Sequence, residues 1–178
     1  MVLLTNGNLA PKLEAHIEGL QHYAFSVFIF NQRGECLLQR RALHKYHSGG
    51  LWTNACCSHP TTDEVEVVKY QAEKRLEFEM GIKAELDYCF SFEYKAVCGE
   101  LIENEHDFVF IGFSDAVPVI NTDEVDSYKW LSLEELEISM KQDRSIYTEW
   151  FNIIMEAYSH KLTEATKREK TDAQKKVN

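Results

Sequence analysis

The hydrophobic pattern changes period along the chain, and each change marks a predicted element. Residues 23–31, "YAFSVFIFN", mix aromatic and β-branched side chains and predict a strand. "NQRG" (31–34) is a turn signal, and "ECLLQRRA" (35–42) predicts the returning strand. "LHKYHSGGLWTNACC" then reads as a polar, Gly-containing loop that runs into a short extended segment. Over residues 63–80 the spacing becomes helical: Val65, Val68, Ala72, Leu76 and Met80 recur at three- and four-residue steps, with Gly81 as C-cap. "YCFSFEYKAV" (88–97) and "NEHDFVFIGFSD" (104–115) predict two more strands. Residues 127–136 predict a strand end followed by a helix, because Ser132 and Glu135 form a capping-box pattern. Residues 140–164 predict one further helix. The tail 165–178 is polar and charged without an apolar stripe, which predicts a frayed helix or disorder. With no repeat or linker, the expected class is α/β (α+β). It would be one compact domain over 1–164, a mixed β-sheet sandwiched between helices.

The chain has 178 residues, of which 44% are hydrophobic and 12% aromatic, enough for one domain with a proper core. Its net charge of −10 argues against an extended nucleic-acid or anionic-membrane surface, since phosphate backbones reward clustered Lys and Arg. Any phosphate bound here is small and held in a local basic pocket. No apolar run approaches the roughly 20 residues that span a bilayer. The stretch before Lys12 carries no charge and few apolar residues, so it does not read as a secretory signal. Five cysteines (Cys36, Cys56, Cys57, Cys89 and Cys98) make an odd set with no C-x-x-C pair. That argues against a disulfide framework or a zinc finger and predicts a reducing, cytoplasmic setting. Monomer and homodimer both remain open.

Candidate chemistry concentrates in three segments. Alternation along "TNACCSHP" puts Cys57 and His59 on one face and Cys56 on the other. The same rule pairs Glu103 with Glu105 in "IENEHDF", and "EAHIEGLQHYAF" supplies His16 and His22. Three histidines and two carboxylates form a nitrogen and oxygen donor set suited to zinc, manganese or magnesium. Read singly, each histidine serves equally as a surface or core residue, and Cys57 as a small buried hydrophobe.

The stretch "HPTTDEVEVVKYQAEKRLEFEMGI" resembles the Nudix loop–helix motif, G-x5-E-x7-R-E-U-x-E-E-x-G-U with U apolar, aligned on Glu79, Gly81 and Ile82. The departures are specific. Lys74 and Arg75 stand where Arg-Glu is expected, and Phe78 leaves only Glu79 of the Glu pair. Hydrolysis of a diphosphate needs several helix carboxylates to hold metal ions. Glu73 and Glu77 do not substitute, because a one-residue shift turns a side chain by about 100°. With "KLEAH", "HYAFSVFIFN", "QRRALHK", "GLWTNACCSHP", "RLEFEMG", "FEYKA" and "ENE" in order from about Lys12 to Trp150, the chain resembles the type 1 isopentenyl diphosphate isomerases of the Nudix superfamily.

That resemblance implies interconversion of isopentenyl and dimethylallyl diphosphate by protonation and deprotonation through a tertiary carbocation. By the same resemblance Cys57 and Glu105 are the acid–base pair, Tyr94 hydrogen-bonds the catalytic carboxyl, and Trp150 faces the cation. It further implies His16, His22, His59, Glu103 and Glu105 as ligands of one divalent metal (Zn2+, Mn2+ or Mg2+). Glu79, helped by the Cys57 carbonyl, would hold a Mg2+ that bridges to the diphosphate. Lys12, Arg41, Lys45 and Arg75 would grip the diphosphate itself, with Arg40 turned away and Trp52 used for packing. Two other classes stay in view: a Nudix diphosphohydrolase and a metal-binding module without catalysis. The segment before Lys12 is short for the family, which allows a trimmed sheet edge.

Overall fold

In a computed structural model, residues 1–177 are described, with side chains through Arg168; Asn178 lies outside the described residues. The elements in order are β1 (Val2–Leu3), β2 (Leu9–Ala10), α1 (Lys12–Glu18), β3 (His22–Phe30), β4 (Glu35–Arg41), β5 (Trp52–Thr53) and β6 (Cys56–Ser58). They continue with α2 (Val65–Met80), β7 (Leu86–Cys98), β8 (Leu101–Phe113), β9 (Val125–Ser132), α3 (Leu133–Gln142), a 3-10 turn (Arg144–Ile146) and α4 (Glu149–Val177). The main sheet runs β5-β4-β3-β8-β7, with β6 also on β3 and β9 on β4. It is mixed, because β3 and β8 lie parallel while their other neighbours are antiparallel. Helices cover both faces, as the hydrophobic pattern requires.

The two faces follow from strand alternation. Phe25, Val27 and Ile29 pack with Val68, Ala72, Leu76 and Met80 of α2. Phe28 and Phe30 point the other way, toward Trp150, Phe151 and Ile154 of α4 and Leu136 of α3. On β8, Val109 and Ile111 join that second layer. The parallel register sets His22 opposite Glu105 and Ala24 opposite Asp107. Even positions of β3 and odd positions of β8 therefore share one face, apolar at one end and polar at the other. β3 meets β4 only at Phe30↔Cys36, and its residues Phe25 to Val27 pair with β6 instead. That pairing brings Cys57 beside Ser26 on the polar end.

Three stretches differ from the sequence expectation. The helix expected over 140–164 is interrupted: α3 ends at Gln142 and α4 starts at Glu149. The Asp143 side chain takes the Ser145 N–H at 2.9 Å, and the Thr148 N–H donates to the Trp52 carbonyl, so local and tertiary bonds replace the helical ladder. Second, α1 was not expected; it has seven residues, follows Pro11 and ends at Gly19 with φ 63°. Third, the short N-terminal segment is not bare. It forms the β1–β2 ribbon, and Leu4 bridges antiparallel to His22. The polar tail expected over 165–178 falls on α4 as far as Val177, mostly at positions whose side chains lie outside the described set, as does all of Asn178. Among the described residues no helix is long and apolar enough to cross a membrane.

Gly81 ends α2 at φ 66°, and a Cβ there would lie 2.7 Å from the Val119 carbonyl oxygen. Gly81→Ala should therefore cost about 2–3 kcal/mol, from left-handed strain plus the clash. Urea unfolding measures it, and an unchanged midpoint would show that the turn after α2 relaxes freely.

Candidate active site

The polar end of the β3–β8 face holds a narrow cavity of about 60 Å³. Its lining includes Lys12, Arg41, Lys45, Cys57, His59, Arg75, Glu103, Glu105 and Trp150, which sequence reasoning had gathered from six separate segments. Tyr94 and His22 flank it through Glu105. Glu79 is buried but stands outside this lining, hydrogen-bonded by Gln39 and by Arg75.

One wall is a histidine and carboxylate cluster. His16, His22, His59 and Glu105 present donor atoms within 4.8 Å of one another. The Nδ1 atoms of His16 and His22 lie 2.6 Å from the Lys12 carbonyl and 2.8 Å from the Leu20 carbonyl. A carbonyl only accepts, so both rings carry hydrogen on Nδ1 and turn Nε2 toward the cluster. There His16 Nε2 lies 3.3 Å from Glu103 Oε2, and His22 Nε2 3.4 Å from Glu105 Oε1. His22 Nε2 and Glu103 Oε2 are buried without a well-aligned hydrogen bond among the described residues. Orphaned buried acceptors beside this cluster fit a divalent cation, and the nitrogen and oxygen ligand set suits one.

Glu105 is the centre of this wall. It accepts from the Tyr94 hydroxyl at 2.6 Å and lies 3.1 Å from His59 Nε2. Burial alone would raise its pKa, but the adjacent imidazoles of His22 and His59 outweigh that and hold the carboxyl well below the usual range. Burial and the nearby carboxylates push Tyr94 well above 10, so its phenol remains a donor. Burial also pulls His59 down to about 4.

Cys57 lines the same cavity. Burial pushes its thiol up to about 12, with Arg41 pulling weakly the other way from 3.8 Å. Cys56 faces the α2 layer and is fully buried, as alternation requires. Arg41 stacks over Trp150 with its guanidinium carbon 5.3 Å from the ring centre, while Arg40 turns outward to the Gly50 carbonyl and Asp126. Trp52 sits against the core with Lys129 over its ring, which is packing. Lys12, Arg41, Lys45 and Arg75 give the lining its basic groups, and burial lowers both Lys12 and Lys45.

Sequence reasoning missed several contributors. Glu124 bridges Lys45 and Arg75, from a loop with no motif. Asn54 is fully buried; it donates to the Val27 and Cys56 carbonyls and accepts from Trp150 Nε1 at 3.2 Å, fixing the indole and the approach to Cys57. Ser26 donates to the buried Asp107 carboxyl at 2.7 Å. His47 reaches Glu103 at 2.9 Å. The alternating "ENEHD" run carried a signal for Asp107, which falls on the same face as Glu103 and Glu105. Nothing in the sequence reports the other contacts, which join loops to distant strands.

Comparison with known proteins agrees with this geometry. The NUDIX domain model matches residues 20–151. The chain is 44% identical over 160 residues to isopentenyl-diphosphate Delta-isomerase 2 of Photorhabdus laumondii, covering 89% of each chain. It is 46% identical to isopentenyl-diphosphate Delta-isomerase 2 of Aromatoleum aromaticum, over 79% of this chain and 74% of that one. Among solved structures, the MutT protein of Methanosarcina mazei matches with a TM-score of 0.63 at 21% identity, over 79% of this chain and 94% of that one, a likeness of fold. A Nudix fold whose helix lacks the usual carboxylates, with long matches to these isomerases, places the chain in the isopentenyl-diphosphate Delta-isomerase family of the Nudix superfamily.

Proposed function

We propose that this enzyme interconverts isopentenyl and dimethylallyl diphosphate, with Cys57 and Glu105 as its acid–base pair. The observation that carries the reading is a thiol and a carboxyl lining one narrow cavity whose rim is basic. An unactivated alkene is a weak base, so a proton must be delivered to its terminal methylene carbon by a fixed acid. That addition leaves a tertiary cation at the branch carbon. Removal of a proton from the neighbouring methylene then shifts the double bond inward. In the resting site the thiol holds its proton and the carboxyl does not, which supplies one donor and one acceptor. Tyr94 orients the carboxyl, and the Trp150 ring that lines the cavity would attract the cation by about 0.5–2 kcal/mol without capturing it.

The basic rim fits the diphosphate: Arg41 and Arg75 offer planar forks and Lys12 and Lys45 point charges. Glu124 pairs with Lys45 and Arg75 and would give way to the incoming anion. We assign His16, His22, His59, Glu103 and Glu105 to one divalent ion, Zn2+, Mn2+ or Mg2+, and Glu79 to a Mg2+ beside the diphosphate. The bound ions supply positive charge that neutralises phosphate oxygens and fixes Glu105. Free cysteines throughout suit a reducing cytoplasm.

A hydrolase reading is weaker, since Glu73 accepts the Leu86 N–H and Glu77 pairs with Lys83, leaving neither for metal. In D2O the enzyme should place deuterium in both isomers and release no phosphate. Cys57→Ala should lower kcat by about 10²–10⁴-fold while the fold survives. Wild-type turnover in that variant, or phosphate release by the parent, would reject the reading.

Two further outcomes follow from the charge states. A pKa raised by burial keeps Cys57 as thiol until about pH 12. Its alkylation by iodoacetamide, followed by peptide mass spectrometry, should rise about tenfold per pH unit from pH 7 to 10. A plateau near pH 9 would show an ordinary, solvated thiol. Zn2+ at about a hundredfold excess over its Kd should stabilise the fold by about 2.7 kcal/mol and raise Tm by about 5–10 °C. Chelation should reverse the shift and His22→Ala should lose it; an unchanged shift in that variant would place the ion elsewhere.

A further inference from the structure

His47 lies in the loop between β4 and β5, between the motifs "QRRALHK" and "GLWTNACCSHP", yet its side chain is only 7% exposed. Its Nε2 sits 2.9 Å from Glu103 Oε1, and its Nδ1 sits 3.1 Å from the Ser48 hydroxyl. Ser48 is the one non-glycine with positive φ among the described residues, at 51°. Holding serine in the left-handed region costs about 1–3 kcal/mol, so this turn is held by its surroundings. It places a hydroxyl where it can donate to Nδ1. A neutral imidazole that accepts at Nδ1 carries its hydrogen on Nε2, and then donates to Glu103. The same residue touches the anion-binding side. Its carbonyl accepts from Arg41 Nη2 at 3.3 Å, and its ring meets Trp150 edge-on at 5.9 Å.

We infer that His47 is a positioning residue for the metal cluster. It holds Glu103 Oε1 by a hydrogen bond so that Oε2 faces the ion, and it ties the loop carrying the diphosphate grip to that carboxylate. The inference rests on the reading of Glu103 as a metal ligand. His47 is a donor to the ligand and not a ligand itself. His16, His47 and Glu103 also group closely enough to share an ion, and a Ser48 hydroxyl that donates to Nδ1 selects the donor role by leaving the hydrogen on Nε2. Outer hydrogen bonds of this kind typically alter metal affinity by about 10–100-fold when removed.

The test is chelator competition for Zn2+ on the full chain, with Co2+ absorption as a report of coordination. His47→Ala should weaken Zn2+ by about 10–100-fold. His47→Gln, whose amide nitrogen reaches the place of Nε2, should return to within about threefold of the parent with the parent Co2+ spectrum. Parent affinity in His47→Ala would overturn the inference. So would a His47→Gln variant as weak as His47→Ala with an altered Co2+ spectrum, which would make His47 a ligand. His22→Ala reports on the cluster itself: if it binds Zn2+ like the parent, the metal reading fails and takes this inference with it.

Discussion

Everything at the site depends on a carboxylate kept charged inside the protein. Removing Glu105 from water costs several kcal/mol unless every oxygen finds a partner. The sheet supplies those partners by register alone. Parallel pairing sets His22 opposite Glu105 on one side, and antiparallel pairing sets Tyr94 opposite it on the other. His59 arrives from the end of β6, which itself pairs with β3. A slip of one residue would turn Glu105 to the opposite face and strand it among Phe25, Phe108 and Phe110. Fold and chemistry are thus set by the same strand pairings.

The cavity gathers both signs of charge: Glu103 and Glu105 of β8 line it together with Lys12 of α1, Arg41 of β4, Lys45 of the following loop and Arg75 of α2. Burial raises the pKa of both Cys57 and Glu105. For Cys57 it prevails over the opposing pull of Arg41, whereas for Glu105 it is overcome by the histidines. Environments that drive two titratable groups apart are how acid and base become distinct at one pH.

Much of this was legible before any coordinates. Period changes located β3, β4, α2, β7, β8 and β9 to within a few residues, because each buries a regular stripe. Alternation separated Cys57 from Cys56 and Arg41 from Arg40, and the structure places those pairs accordingly. The missed features share one cause. The break before α4 depends on Asp143 capping Ser145 and on a bond to distant Trp52, and α1 is too short to show a period. Asn54, Glu124 and His47 act through contacts between loops, which leave no mark on local hydrophobic spacing.

The altered Nudix helix gains a physical reading from the same contacts. In a hydrolase of this superfamily the helix carboxylates hold metal. On α2 the surviving Glu79 is shared with Gln39 and Arg75, while Glu73 caps the β7 backbone and Glu77 pairs with surface lysines. Arg75, standing where the motif expects an acid, also reaches Glu124 at 3.0 Å. All three of these α2 carboxylates are therefore already engaged by neighbouring groups of the chain. The clustered nitrogen and oxygen atoms that could hold an ion lie instead at the sheet end beside the cavity, on His16, His22, His59 and Glu105. On the proposed reading, an ion there would act on Glu105 and not on the bridge of a diphosphate, so that the same fold would leave the diphosphate intact and direct its proton chemistry at carbon.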